Sequence, residues 1–381
     1  MRILLLGEYS GFFNSLKEGL VALNHEVKLI GRKDSFKNYP VDLSLEATFF
    51  NKKIPNIFRK GIYKIFKKDI AVFEIFLKFK QHKSQLKDFD IVLLINEQPL
   101  TKTPFLEKKI LNFVFKNNKN VFLSACGDDY IYVNWLLKNK NTYNILSPYH
   151  NNKKLKKNYK YSWVYTTKEA KKHHDFVFKN IRAVIPADFD YADAYANHPK
   201  ATPIIPFPIR SHLLPYIKPV IKDKIIIFHG INKSNYHKKG NAIFESALKI
   251  IARKYSDKID IITTVSLPYK DYIKAYNSCH ILLDQIYCYD QGYNALEAMA
   301  KGKVVFSGAE KSWLNYYNIK EDVVVINATP NVDYLVKKLE WLILNPNKIT
   351  EISLNARLFV EQSHHYKLIA QQYVNVFNNY V

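Results

Sequence analysis

Short apolar runs bounded by glycine or charged residues recur along the chain, and stretches of helical periodicity separate them. The first run, Ile3-Leu4-Leu5-Leu6 before Gly7, has no polar face and predicts a strand buried on both sides. An amphipathic helix over 12–23 and a second strand over 26–30 follow. Further strands are predicted over 90–95, 121–124, 161–167 and 183–186, then over 224–228, 260–265, 281–284, 304–306 and 322–326. Helical spacing marks 241–255, 269–279, 294–300, 331–344, 348–361 and 364–380. Strands alternating with helices imply parallel sheets, and a chain of 381 residues accommodates two Rossmann-like domains. The extended segment 203–209, with prolines at 203, 206 and 208, reads as the hinge between them.

The stretch 280–308 concentrates the candidate chemistry. Its strand ends at Asp284, a polar loop leads to Gly292, a short helix follows, and Lys301-Gly302 closes that helix before the strand Val304-Val305-Phe306. In a parallel sheet such a loop lies at the carboxyl ends of the strands, where a helix amino terminus offers N–H groups to an anion such as a diphosphate. Gly292 is expected to let the backbone turn and approach a ligand. Glu297, one turn into the helix, is placed either to accept hydrogen bonds from a vicinal diol such as a ribose or to stand as an ordinary exposed helix carboxylate. Spacing alone leaves both readings open.

The segment resembles the donor-binding segment of GT-B glycosyltransferases, especially the retaining family-4 group. In that group an acidic residue and seven others precede a second Glu and Ala-Met-Ala-x-Gly, which Glu297-Ala298-Met299-Ala300-Lys301-Gly302 matches. The first acidic position falls on Tyr289, with Asp290 one place later, and Asp284-Gln285 resembles a family variant that carries Asp-Gln at the end of the preceding strand. Lys239-Gly240 is similar to the family's Lys-Gly, whose lysine approaches the donor pyrophosphate, while Ile231 replaces an arginine that relatives carry after the strand and leaves Lys233 as its substitute. The resemblance implies an α/β GT-B fold whose two Rossmann-like domains, 1–205 on the acceptor side and 206–363 on the donor side, have parallel sheets facing an interdomain cleft. It also implies a helix over 364–381 that returns to the first domain.

By the same resemblance, Gly11, His229, Gly230, Lys233, Lys239, Tyr269, Gly292 and Glu297 surround a nucleotide-diphosphate sugar, a UDP- or GDP-sugar. Asp128, Asp284 and Asp290 are the catalytic candidates, in contact with the transferred sugar or a glycan or lipid-linked acceptor. No essential metal is expected, because cationic side chains and a helix terminus take that role. Asp188-Phe189-Asp190 has the form of a metal-binding Asp-x-Asp, yet it follows a strand near the end of the first domain, where turn and cap chemistry is expected instead. Asp128-Asp129 likewise suits either an acceptor hydroxyl or a helix cap.

Composition narrows the alternatives. Cys126, Cys279 and Cys288 form neither a CxxC pair nor an even framework, and no apolar run reaches membrane-spanning length, so a cytoplasmic protein is expected. The formal charge of +23 favours an anionic partner, but no nucleic-acid motif accompanies it, and nucleic acid is not expected. In 56–87 the residues Ile57, Ile62, Ile65, Phe66, Ile70, Phe73, Phe76 and Leu77 recur at helical spacing among lysines that include Lys60, Lys64, Lys67 and Lys68. The stretch reads either as a core-facing helix or, over 56–80, as a surface for the anionic inner face of the cytoplasmic membrane. An inactive nucleotide-sugar-binding or assembly protein of the same fold is the alternative function, and a cationic nucleic-acid-binding protein a distant third.

Overall fold

A computed structural model describes residues 1–32, 38–66, 69–140 and 142–380. Among the described residues, eleven strands form two sheets in which every pairing is parallel. The first contains β1 (Arg2–Leu6), β2 (Glu26–Gly31), β3 (Leu43–Ser44), β4 (Ile91–Leu94), β5 (Asn120–Ala125) and β6 (Val184–Pro186) in the order β3-β2-β1-β4-β5-β6. The second contains β7 (Ile225–Ile231), β8 (Ile259–Val265), β9 (Ile281–Leu283), β10 (Val304–Ser307) and β11 (Ile326–Asn327) in the order β11-β10-β9-β7-β8. Ile3 to Leu6 and Ile91 to Leu94 are fully buried, as central strands covered by helices on both faces must be. Strand order reverses beside β1 and β4 in the first sheet and beside β7 and β9 in the second, which fixes where crevices open.

The last helix, Tyr366–Asn378, packs on Phe12–Ala22. A side chain at Gly19 would come within 2.4 Å of the Tyr366 carbonyl oxygen, and Phe377 meets Phe122 with ring centroids 4.9 Å apart. The end of the chain therefore belongs to the core under the first sheet.

Three expected elements differ. Residues 161–167 are not a strand but the helical turns Lys160–Trp163 and Val164–Thr166. Buried Tyr159, Ser162 and Tyr165 recur every third residue, a helical spacing that the β-prone composition of the segment conceals. The strand expected over 322–326 shrinks to β11, because Asp322 adopts a left-handed φ of 62° and its carboxylate is held by Lys338. The stretch 56–87 divides into Lys53–Phe66 and Ala71–His82, with Lys67 and Lys68 outside the described residues. The second of these helices buries Ala71, Val72, Ile75 and Phe79, whereas the first buries nothing, so a core-facing reading does not hold for it. Ile57, Phe58, Ile65 and Phe66 are 65–73% exposed. No helix among the described residues is long and apolar enough to cross a membrane.

Candidate functional site

At the strand-order reversal of the second sheet lies a cavity of about 330 Å³. Gly230 and Ile231 at the end of β7, Ser266 and Leu267 after β8, and Leu283 and Asp284 at the end of β9 line it, together with Lys239, Tyr272 and Asn294. Ser10, from the loop after β1, closes it from the first half. A side chain at Gly230 would meet the Tyr272 ring at 2.6 Å, so that ring is seated directly on the strand end.

Asp284 organises the cavity floor. Its Oδ1 accepts hydrogen bonds from Lys239 Nζ and Asn294 Nδ2, both at 3.0 Å, and its Oδ2 accepts one from Ser307 Oγ at 3.3 Å. The carboxylate is only 2% exposed, so the lysine is the cation that compensates it. An ammonium has three donors, and the Asp284 bond leaves two of them for the cavity. Asn294 also accepts from Tyr272 OH at 3.3 Å, which ties the first turn of the helix Tyr293–Ala300 to the same floor.

The remaining expected donor residues are scattered around this cavity. Gly292 caps the helix with an ordinary φ of −71°, so the turn does not require glycine; a side chain there would find only Gln285 Nε2 at 3.9 Å, and what glycine supplies is room. Gly11 does require its residue type, because φ is 92° and a Cβ would lie 2.7 Å from the Tyr39 ring. It starts the helix Phe12–Ala22, and its carbonyl accepts a hydrogen bond from Tyr293 OH at 3.1 Å across the two halves. His229 is fully buried beneath the floor with Nε2 2.9 Å from Asn241 Oδ1, and burial lowers its pKa. Lys233 is exposed outside the cavity, its backbone N–H donating to Ser266 Oγ at 3.2 Å.

Glu297 is not among the residues that line this cavity. It borders a 40 Å³ pocket with Ser15, Arg210 and Tyr293, and its charge raises the phenol pKa of Tyr269 after burial, the main cause. Burial chiefly, and Glu297 after it, raises Tyr39 as well. Glu297 and Tyr269 therefore share one neighbourhood next to the cavity.

The catalytic candidates do not converge. Asp128 faces the cleft between the halves, where its Oδ2 accepts from Lys238 Nζ at 3.1 Å and from Ser162 Oγ. Asp129, its neighbour, caps the helix Tyr130–Lys138 by accepting from Tyr132 N–H at 2.7 Å. Asp290 turns away from the cavity to accept from Phe189 N–H at 3.0 Å, while Asp190 accepts from Tyr289 N–H at 3.1 Å in return. Asp188 caps the helix Phe189–Tyr195 and adds a third carboxylate, with oxygens of Asp188, Asp190 and Asp290 lying within 4.8 Å of one another. Burial pushes all three pKa values up, Asp190 to about 7. Tyr289, at the first acidic position of the motif, donates to or accepts from Thr142 Oγ1 at 2.9 Å.

A second cavity system opens beside β1 and β4, in two lobes of 420 and 540 Å³ that share Tyr9, Arg32, Gln98 and Lys102. Sequence reading missed Arg32, Lys102, Lys238, Tyr272 and Asn294. Only Lys238 and Asn294 left a signal, the first lying beside Lys239 and the second opening the helix expected over 294–300.

The family profile described as Glycosyl transferase-like matches residues 236–375, which contain Lys239, Asp284 and Glu297. No curated protein matches the sequence. Among solved structures, sucrose-phosphate synthase from Thermosynechococcus elongatus is similar over 100% of this chain and 98% of its own, at 13% identity and TM-score 0.60. HepE from Anabaena, crystallised with UDP and glucose, is similar over 100% of both chains at 13% identity and TM-score 0.58. TarM is similar over 99% of this chain and 98% of its own at 11% identity and TM-score 0.59. Over its whole length the chain has the GT-B fold of these structures, and residues 236–375 match the Glycosyl transferase-like family model.

Proposed function

We propose that the chain transfers a hexosyl group, with retention of configuration, from a nucleotide-diphosphate sugar to a glycan or lipid-linked acceptor. The observation that carries this reading is Lys239, anchored by Asp284 and facing the 330 Å³ cavity at the carboxyl ends of β7 and β9. A diphosphate seated there meets two remaining ammonium donors and the amino end of Tyr293–Ala300, both fixed before the bond to the sugar breaks and its charge develops. Glu297 holds the ribose, and Tyr269 and Leu267 border the base. UDP is the favoured nucleotide, in keeping with the HepE complex. Asp284 acts as a positioning residue because its oxygens are engaged by Lys239, Asn294 and Ser307; Asp128 is the carboxylate that reaches the cleft.

The acceptor domain spans 1–205 and the donor domain 206–363, with the final helix tying them together. The exposed face of Lys53–Phe66 rests on an anionic membrane surface. Calorimetry with UDP and GDP, followed by donor hydrolysis and transfer assays, tests the reading. Absence of binding to either nucleotide refutes it; binding without hydrolysis or transfer supports the inactive binding protein, for which Tyr289 at the first acidic position speaks.

A further inference from the structure

Asp188, Asp190 and Asp290 bring carboxylates from both halves of the chain to one point away from the nucleotide cavity. Asp188 follows β6 and Asp190 lies in the first turn of the helix Phe189–Tyr195, while Asp290 belongs to the loop between β9 and the helix Tyr293–Ala300. Each has one oxygen held by a neutral backbone N–H. Asp188 Oδ1 accepts from Tyr191 and Asp190 Oδ2 from Tyr289, both at 3.1 Å, and Asp290 Oδ2 accepts from Phe189 at 3.0 Å. The second oxygen of Asp190 is not accounted for in this way. Asp190 is 7% exposed, and its Oδ1 is buried with no hydrogen-bond partner among the described residues. Turn and cap chemistry does not explain that oxygen, because Oδ2 already makes the local bond.

No positive charge offsets the three. None of them forms an ion pair among the described residues. After burial, the charges that act on them are those of other carboxylates: Asp193 and Glu310 on Asp190, Asp190 and Asp193 on Asp290, and Asp290 and Asp190 on Asp188. Glu310 in turn is held by neutral groups, Tyr143 OH and Asn327 Nδ2. The surroundings therefore add negative charge, and like charges this close in a dry place require a cation or protons between them.

We infer that Asp188, Asp190 and Asp290 bind a hard divalent cation of the calcium type, which joins the turn after β6 to the loop after β9. Their oxygens lie within 4.8 Å of one another. Two oxygens held at about 2.3–2.6 Å from one calcium ion are at most about 5 Å apart, so one ion can reach all three carboxylates. A donor set made of carboxylate oxygens alone selects calcium, magnesium or manganese over softer metals. Asp188 is the least buried of the three and gives the ion its way in. Such an ion reinforces the crossed contacts Asp290 to Phe189 and Asp190 to Tyr289 between the halves and takes no part in the chemistry at Lys239.

The test uses the full chain, stripped with EDTA, dialysed and kept free of nucleotide at about pH 8. Calcium, magnesium and manganese are added one at a time in calorimetry and thermal melts. A formal net charge of +23 gives the chain no general attraction for cations, so binding reports a local site. The expected result is one ion per chain and a higher melting temperature with at least one of the three metals. Affinity falls by roughly tenfold or more in Asp190→Asn and in Asp290→Asn. Asparagine keeps an oxygen for the backbone N–H, and melts in EDTA check that both variants fold. Asp257→Asn, at an exposed position, binds like the parent. Terbium supplies a readout on the unaltered chain, since the backbone N–H groups of Tyr191 and Tyr289 touch the cluster and tyrosines this close sensitise its emission. Calcium is expected to displace it. Absence of binding by all three metals overturns the inference and leaves the carboxylates held by protons. Binding or terbium emission that persists in both cluster variants overturns it as well, as does an equal loss in Asp257→Asn.

Discussion

Replacing Lys239 with Met separates the two tasks the structure gives this lysine. It compensates Asp284, whose carboxylate is 2% exposed, and it directs its remaining donors into the cavity. Breaking a fully buried pair by removing one partner costs about 3–5 kcal/mol. Here the Lys239 side chain is 26% exposed and Asp284 keeps its bonds from Asn294 and Ser307, so solvent and neutral donors absorb part of that penalty. A stability loss of about 1–3 kcal/mol is expected. A charge-assisted hydrogen bond to the diphosphate is worth about 1.5–3 kcal/mol, which corresponds to a roughly ten- to hundredfold weaker affinity for UDP.

The cycle with Asp284→Asn decides which task matters for binding. In the double variant Lys239→Met/Asp284→Asn the uncompensated carboxylate is gone, so the melting temperature recovers toward that of the parent while UDP affinity stays low. Asp284→Asn alone releases the lysine from its competitor and leaves UDP affinity equal or higher. Calorimetric titration with UDP and thermal melts of all four proteins make the measurement. Recovery of UDP affinity in the double variant would show that Lys239 merely neutralises Asp284, and an unchanged affinity in Lys239→Met would remove it from the donor site altogether.

Four further outcomes follow from the same geometry. Glu297→Ala lowers UDP affinity by about 3–6 kcal/mol, the worth of two charge-assisted bonds to a diol, without lowering the melting temperature; an equal loss for UDP and for pyrophosphate would deny it the ribose. Transfer survives EDTA; if activity stops and returns with manganese, the carboxylates of Asp188, Asp190 and Asp290 hold the ion. Because burial raises the Asp190 pKa from 3.8 to about 7, its contribution to stability is fully present below about pH 4 and is lost as pH rises through 7, so Asp190→Asn melts like the parent at pH 4 and higher than it at pH 8. Vesicles with anionic lipid bind the protein less after Lys60 and Lys64 are changed to Gln, by about 1 kcal/mol per lysine, and less as salt rises; an equal loss on changing Lys348 and Lys367 instead would reduce the effect to net charge.

The central strands β1, β4, β9 and β10 were legible because they are buried on both faces, and an unbroken apolar run between glycine and charge suits a covered central strand and little else of that length. The turns at 160–166 were not, since Tyr161, Trp163, Val164 and Tyr165 are β-prone residues and only the tertiary burial of positions 159, 162 and 165 selects the helical arrangement. The exposed helix Lys53–Phe66 shows the opposite case. Its periodicity is plain in the sequence, but periodicity cannot say whether an apolar face meets a core or nothing at all.

The same distinction governs the site. Lys239 and Asp284 were legible because each lies at a strand or helix end, where backbone geometry alone sends a side chain toward the crevice. Asp290 sits in an irregular loop, where direction is set by a hydrogen bond from Phe189, on a distant part of the chain, and no local pattern encodes that. Lys238 and Lys239 illustrate the limit most sharply: adjacent and chemically identical, one pairs with Asp128 on the first half and the other with Asp284 on the second. Arg32 and Lys102 are further out of reach, because their relation exists only once β1 lies between β2 and β4 and brings the two loop ends to one mouth. A residue's chemistry can thus be read from sequence wherever one element determines its direction. Where two or more elements must first assemble, as at the shared wall of the first-half cavity, the role appears only with the fold.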